Sequence, residues 1–497
     1  MSRQKNLIIA GVALVILVGG YFGATAYKKA QFEKQTEQYK SLYMTEIDTK
    51  KVTRIEIPLK GVVLERKEET WTSPAEALGV QLDQEETKSI LWSLCNMRYE
   101  RVADENPKDL APFGLSDPKA RVVMTLEDGS KVELLGGDKT PTGTGYYGMK
   151  VGDPKVYILP SYPGERLYVS LTDFRNRKFP SFNPEDVEHL TLIQGNTRIS
   201  LEPKPSTGVQ EASFTSHILT SPYKLPRGVD SQAFNKLVTV LGKLQIKDFV
   251  SDKPASLVPY GLDKPEYEIS VKAKVKETVK EKEGDKEVEK EVQKDLSLHL
   301  LIGKEAAKTG PEWEKNRVFA KLKDSPTVFL LEDIRSDISV KPFDLIDKFA
   351  FIINIDKVDK LNIDYRGARH SGEIKREKVT VTEKDKDGKE TMREETRETF
   401  LFDGKEVKEE KFKDLYQNCI GLLIEGEIPA GGGKVTGKAE ITLEYHLNEP
   451  SGKIQRVQYL PFNRDFYALS REGVVEFLVS KLQVEKIGNS LQKVTEP

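Results

Sequence analysis

The 497 residues exceed what one ordinary core accommodates and imply about two to four domains. With 77 basic and 79 acidic residues the net charge is −2, which supplies no global field to attract nucleic acid or an anionic surface. Hydrophobic residues are only 38%, diluted by Lys/Glu tracts, and two cysteines cannot make a disulfide framework.

In chain order, Arg3 and Lys5 precede an uncharged run, "NLIIAGVALVILVGGYFGATAY", residues 6–27. A hydrocarbon core of about 30 Å needs about 20 apolar residues as helix, so residues 1–28 read as a transmembrane anchor with a short cytoplasmic N-terminus. Ala24-Thr25-Ala26 also carries the small residues of a signal-peptide cleavage site. Both readings export everything after Lys28, and the lack of a Cys just after the run argues against lipoprotein processing. Residues 29–47 read as a charged juxtamembrane helical linker.

Next come three copies of one apolar pattern: Val52-x-x-Ile55-x-Ile57, Val187-x-x-Leu190-x-Leu192 and Val358-x-x-Leu361-x-Ile363. Alternation of this kind marks the buried face of a strand, and repetition marks related units. The units are expected at 48–182, at 183–351 with a charged insertion over 272–294, and at 352–497 with a charged excursion over 375–399. Each continues into a helix with apolar residues at i, i+3, i+4 and i+7. The faces are Ile90, Leu91, Leu94 and Cys95; then Phe234, Leu237, Val238, Leu241 and Leu244; then Phe412, Leu415, Tyr416, Cys419, Ile420 and Leu423. "WTSP" (71–74) and "LTSP" (219–222) precede the first two, and Asp83 with Glu86 forms a D-x-x-E cap. Cys95 and Cys419 read as two buried free thiols.

The phrase Leu-x-Pro-aromatic-Gly-Leu-x-x-Pro then occurs twice, as "LAPFGLSDP" (110–118) and "LVPYGLDKP" (257–265). Pro112 and Pro259 end helix propagation in this reading, and Gly114 and Gly261 allow a positive φ. The aromatic residue and Leu115 or Leu262 anchor a helix-to-strand elbow. Strands follow, with Asp128-Gly129 at a hairpin turn. The insertion "KAKVKETVKEKEGDKEVEKEVQK" and the excursion "REKVTVTEKDKDGKETMREETRETF" read either as long hairpins or as helical or disordered loops. Terminal helices are expected within "LYVSLTDFRNRKF", "SDISVKPFDLIDKF" and "VVEFLVSKLQVEKI". The fold class is α+β: an N-terminal transmembrane helix, then three antiparallel sheets, each with a packed helix.

The TSP segment, capped helix, "DLAPFGLSDP", "LLGGD" and "YYGMK…KVYILP" resemble the bacterial family of domain of unknown function 4340 over most of residues 48–350. The third unit departs, with "EIPAGGGKVTGKAEITLEYHL" in place of the elbow phrase. The resemblance implies a membrane-tethered companion of gliding-motility-type or related ABC transport systems. No catalytic residues are established for that family, so none carries over.

A search for chemistry leaves the catalytic, cofactor-binding and metal residue sets empty. Gly432–Ala439 has phosphate-loop spacing but ends in Ala and lies between a helix and a strand, the reverse of what a phosphate cradle needs. His189, His217, His299, His370 and His446 show no metal-ligand spacing. "TPTGTGYYG" (140–148) reads as a hairpin turn rather than a glycan-contacting loop. The expectation is therefore a non-enzymatic, cofactor-free protein of the cell membrane, single-pass, its bulk extracytoplasmic. Its partners would be the bilayer, through residues 6–27, and envelope or ABC-transporter proteins, with no nucleic acid. The leading reading is a scaffold or accessory subunit of a transport or envelope complex. The alternatives are an extracytoplasmic ligand-binding protein and a cell-envelope hydrolase.

Overall fold

The computed structural model describes residues 42–75, 80–205, 215–283, 286–308, 316–384, 390–429, 435, 437–449 and 451–496. The apolar run 6–27, most of the charged linker and Gly432 lie outside them. Among the described residues no helix is long and apolar enough to cross a membrane. The chain divides into two compact units, one ending at Arg177 and including Asp248–Asp252, the other formed by Lys178–Lys247 and Lys253–Pro497.

Three antiparallel sheets share one strand order. Across the first run Thr70–Thr72, Val62–Lys67, Val52–Ile57, Ala120–Leu126, Lys131–Lys139, Gly145–Lys150, Val156–Pro160 and Arg101–Asp104. The second runs Arg227–Gly228, His217–Ser221, Thr197–Pro203, Val187–Gln194, Tyr267–Glu283, Lys286–Glu305, Arg317–Leu322, Val328–Glu332 and Asp248–Ser251. The third runs Lys405–Glu406, Glu390–Phe402, Ala368–Lys384, Val358–Tyr365, Ile441–Leu447, Ile454–Pro461, Phe466–Arg471, Val474–Ser480 and Ile424–Glu427. In each, a first meander leads outward, a helix crosses to the opposite margin, and one short strand is laid there. A second meander then starts beside the opening strand and ends against that marginal strand. The third sheet follows this plan although it lacks the elbow phrase.

The opening strands explain why the apolar pattern recurs. Val52, Ile55 and Ile57, and their six counterparts, are all at most 3% exposed. Each strand is entered through a 3₁₀ turn, Thr49–Lys51, Pro184–Asp186 or Ile355–Lys357. Asp48, Asn183 and Asn354 cap these turns, each four residues before the buried Val, a regularity absent from the sequence reading above.

Helices α1 (Gln84–Cys95), α2 (Ser231–Gly242) and α3 (Glu409–Ile420) bury their apolar faces on the sheets. In the first unit Ile90, Leu91, Leu94 and Cys95 pack in one core with Ile55, Ile57, Leu64, Val122 and Met124. Both thiols are free and buried, and burial pushes Cys95 up to about 12. Leu423 corrects the expected third face: it lies beyond α3 and is 42% exposed, because the helix ends at Ile420. Asp83 does cap α1, accepting from the Glu85 and Glu86 amides, but Glu86 turns away to pair with Arg166 at 3.0 Å. "VVEFLVS" is a strand rather than part of the terminal helix, which starts at Lys481.

The repeated phrase also needs correction. It does not end a helix; it links the marginal strand to the next meander, and Pro112 and Pro259 sit inside the 3₁₀ turns Ala111–Phe113 and Val258–Tyr260. Proline suits that place because the first amides of a helical turn lack partners anyway. Gly114 and Gly261 close the turns at φ +67° in both copies. The hydrogen bonds also match: Leu115 N and Leu262 N donate to the Leu110 and Leu257 carbonyls at 3.1 and 3.2 Å. Phe113 meets Tyr147 edge-on with centroids 5.1 Å apart, and Tyr260 meets Phe319 at 5.0 Å. The close approach depends on a second glycine, since a methyl on Gly137 or Gly303 would overlap the Phe113 or Tyr260 carbonyl oxygen.

The two charged stretches are long hairpins. Tyr267–Glu283 pairs with Lys286–Glu305 along its whole length, and Ala368–Lys384 pairs with Glu390–Phe402. Their flanking strands stop early: the opening strands pair no further than Ala273 and Glu373. Beyond these points each hairpin continues as a two-stranded ribbon, leaving the sheet at the end where the opening strand enters. Arg376 clamps the root of the second ribbon, donating to the Val358 and Ile355 carbonyls at 3.1 and 3.0 Å and to Glu398 at 2.8 Å.

Candidate functional site

Within the second compact unit a cleft of about 470 Å³ opens where strand ends of the second and third sheets meet. That volume falls in the range of small-molecule pockets. Its walls come from segments 270 residues apart at the extreme, Glu202 and Glu472, so sequence periodicity carries no trace of it.

The apolar part is formed by Ile218, Leu225 and Pro226 on one side and Phe351 and Ile353 on the other. Both Phe351 and Ile353 are buried just beyond the segment joining the two sheets. That segment is held tightly. Val229 and Ile346 form a bridge, Asp347 N donates to Gly228 O at 2.8 Å, and Ala350 N donates to Leu422 O at 2.7 Å. Buried Arg227 donates to the Phe349 and Ala350 carbonyls at 2.5 and 3.4 Å and lies over the Phe477 ring. Removal from water lowers its pKa to about 10. Tyr223 donates to Glu427 at 2.7 Å, and the Lys224 amide donates to Glu476 at 2.9 Å. The cleft is therefore preformed by backbone and buried-side-chain bonds.

Its polar part contains Lys204, Lys453 and Arg471 against Glu202 and Glu472, an excess of one positive charge. Gln455 bridges two of these, donating to Glu472 at 2.8 Å and accepting from Lys453 at 3.0 Å. Arg471, at the end of strand Phe466–Arg471, stands 5.7 Å from the Phe351 ring centroid. Desolvation lowers its pKa to about 10 despite the neighbouring Glu472 and Glu476.

The residues weighed for chemistry in the sequence are dispersed. His217 is buried with Nε2 2.8 Å from the Val187 carbonyl, His299 meets Glu268 at 2.7 Å, and His446 meets Asn362 at 2.9 Å. His370 pairs with Asp403 at 2.8 Å beside a polar hollow that also holds Ser371. The Ser371 hydroxyl donates to Asn362 instead, at 3.3 Å, so these three do not form the nucleophile–base contact that acyl transfer requires. Among the described residues no group of His, Cys, Asp or Glu is placed to hold a metal ion. Thr140–Gly145 is a hairpin turn, and Tyr146 and Tyr147 pack on Tyr168 and Phe113.

Tandem antiparallel modules with a crossing helix, a glycine-closed elbow and a preformed cleft define an α+β, sheet-rich repeat protein. A family model described as "Domain of unknown function (DUF4340)" matches residues 71–265 and 218–418, and the chain belongs to this family. The second match starts 147 residues after the first, the interval that also separates Pro112 from Pro259 and α1 from α2. It reaches into α3, so the family likeness extends beyond the 48–350 stretch seen in the sequence. No curated protein matches the chain, and no solved structure does.

Proposed function

We propose that this chain is a non-enzymatic, membrane-anchored extracytoplasmic scaffold or accessory subunit of an ABC-type transport or cell-envelope complex. Residues 6–27 hold it in the bilayer with the N-terminus cytoplasmic, and tethering keeps its modules at high effective concentration near membrane partners. The observation that supports the reading is the pair of ribbons. A two-stranded ribbon without a core is marginal by itself in water, so its length serves contact rather than stability. Past Ala273 and Arg376 the ribbon strands pair only with each other among the described residues, leaving their outer backbone edges open to strand addition.

Crosslinking in native membranes, followed by identification of copurifying proteins, tests this. Envelope or transport proteins are expected with the intact chain and are lost when residues 275–294 are replaced by an Asn-Gly turn. Recovery of the intact chain as a lone species refutes the role.

A further inference from the structure

The three crossing helices align on their caps and buried faces: Ile90, Leu237 and Leu415 fall together, as do Leu94, Leu241 and Cys419. On that alignment Trp92 of α1 stands where α2 has Thr239 and α3 has Gln417, all three exposed, Trp92 by 60%. The positions three before and four after lie on the same side of a helix. They hold Ser89 and Asn96 in α1, Lys236 and Lys243 in α2, and Asp414 and Gly421 in α3. Over these positions α1 therefore presents an aromatic and no charge, where its sisters present charge and no aromatic. The nearest helical charges, Lys88 and Glu85, pair with each other at 3.0 Å toward the helix N-terminus. A single exposed apolar side chain is ordinary. An indole set where the sister modules keep polar groups, on a stripe cleared of charge, marks a contact.

The covalent path leads from the apolar run 6–27 directly to this helix. Segment 42–47, the first of the described residues, is stitched to the C-terminal end of α1. Tyr99 N donates to Leu42 O at 2.9 Å, Thr45 Oγ1 to Leu94 O at 2.8 Å, and Ile47 N to Cys95 O at 3.0 Å. Only residues 28–41 separate Leu42 from that run, so a bilayer holding it lies within about 50 Å of Leu42 whatever path they take. We infer that the outward stripe of α1 rests on the bilayer that holds the anchor, with the Trp92 indole in the headgroup layer. This rests on the membrane anchoring proposed above and adds where the extracytoplasmic part touches lipid. Tryptophan suits that layer because its ring is apolar in body and carries one N–H donor for water or headgroup oxygens. A protein groove fits less well, since one indole buries about 150–250 Å² where a specific interface takes about 800 Å² from each partner. A weak lipid contact is still populated, because a short tether holds helix and surface at millimolar effective concentration.

The test reconstitutes the full-length chain into phosphatidylcholine vesicles, with and without a nitroxide spin label on the lipid headgroup, and reads tryptophan emission. The chain has three tryptophans, of which Trp71 is buried, so Trp92→Thr, which installs the α2 residue, isolates the signal. The parent is expected to lose at least about a fifth of its emission to the label, and Trp92→Thr to lose at most about a quarter as much. Should Trp92→Thr fail to fold by circular dichroism, Ser89→Glu keeps the indole and places a hydrated charge beside it; quenching is expected to fall by about half or more. Flotation of parent and variant with the vesicles but equal quenching in both overturns this inference and leaves the anchor standing. Blue-shifted Trp92 emission that the label does not reach, as when residues 28–41 cover the indole, overturns it too. Failure of either protein to float removes the anchor and this inference together.

Discussion

The elbow makes a quantitative demand on Gly303. A methyl there overlaps the Tyr260 carbonyl oxygen and stands 3.1 Å from the carbonyl carbon and oxygen of Gly261. These neighbours are backbone, fixed on one side by the Leu262 N to Leu257 O bond and on the other by Glu266 N to Ile302 O at 2.8 Å. No flexible side chain can yield, so the cost of Gly303→Ala falls at the top of the range for overpacking, about 3 kcal/mol. Gly261→Ala, strained by φ +67° but with its closest contact at 3.0 Å, costs less, about 1–2 kcal/mol. Gly426→Ala, with open space around it, is the control and stays within about 0.5 kcal/mol. For the second compact unit, of about 300 residues, 3 kcal/mol corresponds to a drop of roughly 4–6 °C in the melting transition. Scanning calorimetry measures the drop, and hydrogen exchange on peptides covering 257–266 and 300–305 localises it. A Gly303→Ala melting point within a degree of the parent refutes the account of why this glycine is here.

Two more outcomes follow from buried polar groups. Arg227→Met removes the donor to the Phe349 and Ala350 carbonyls and is expected to cost about 2–4 kcal/mol; Arg227→Lys, which lacks the fork, restores little. An unchanged denaturation midpoint for both variants refutes the clamp. Burial holds the His217 pKa below its ordinary 6.5, against the opposing pull of its bond to the Val187 carbonyl. Protonation therefore favours the unfolded chain, so this contribution is full above about pH 6.5 and is lost as pH falls. The melting temperature should drop less between pH 7.5 and 5.5 in His217→Phe than in the parent; equal drops contradict the assignment.

Much of the fold is legible because burial imposes period on sequence. Val52, Ile55 and Ile57 and their counterparts announce the opening strands, and the i, i+3, i+4 faces announce α1 to α3. The marginal strands escape notice for the converse reason. Arg101–Asp104 and Asp248–Ser251 have no fully buried residue, so nothing selects alternation in them. The extent of the insertions was readable but not their form, since Lys/Glu tracts suit hairpin, helix and coil alike until pairing decides. The cleft was illegible: Phe351, Arg471 and Ile218 become neighbours only through the packing of one sheet end on another. One usable signal went unread, the Asp or Asn four residues before each opening Val.

The placement of the marginal strand has a practical corollary. Because the outermost strand of each sheet is encoded midway through its module, the first interval that matches the family, 71–265, begins and ends inside sheets. An expression fragment cut at those limits discards Val52–Ile57 and Val62–Lys67 and carries only part of the next sheet. A recombinant piece that keeps its core starts no later than Leu42, whose carbonyl accepts from Tyr99 N, and one that contains the second sheet keeps the third with it, since the bonds from Ala350 N to Leu422 O and from Tyr223 to Glu427 join them.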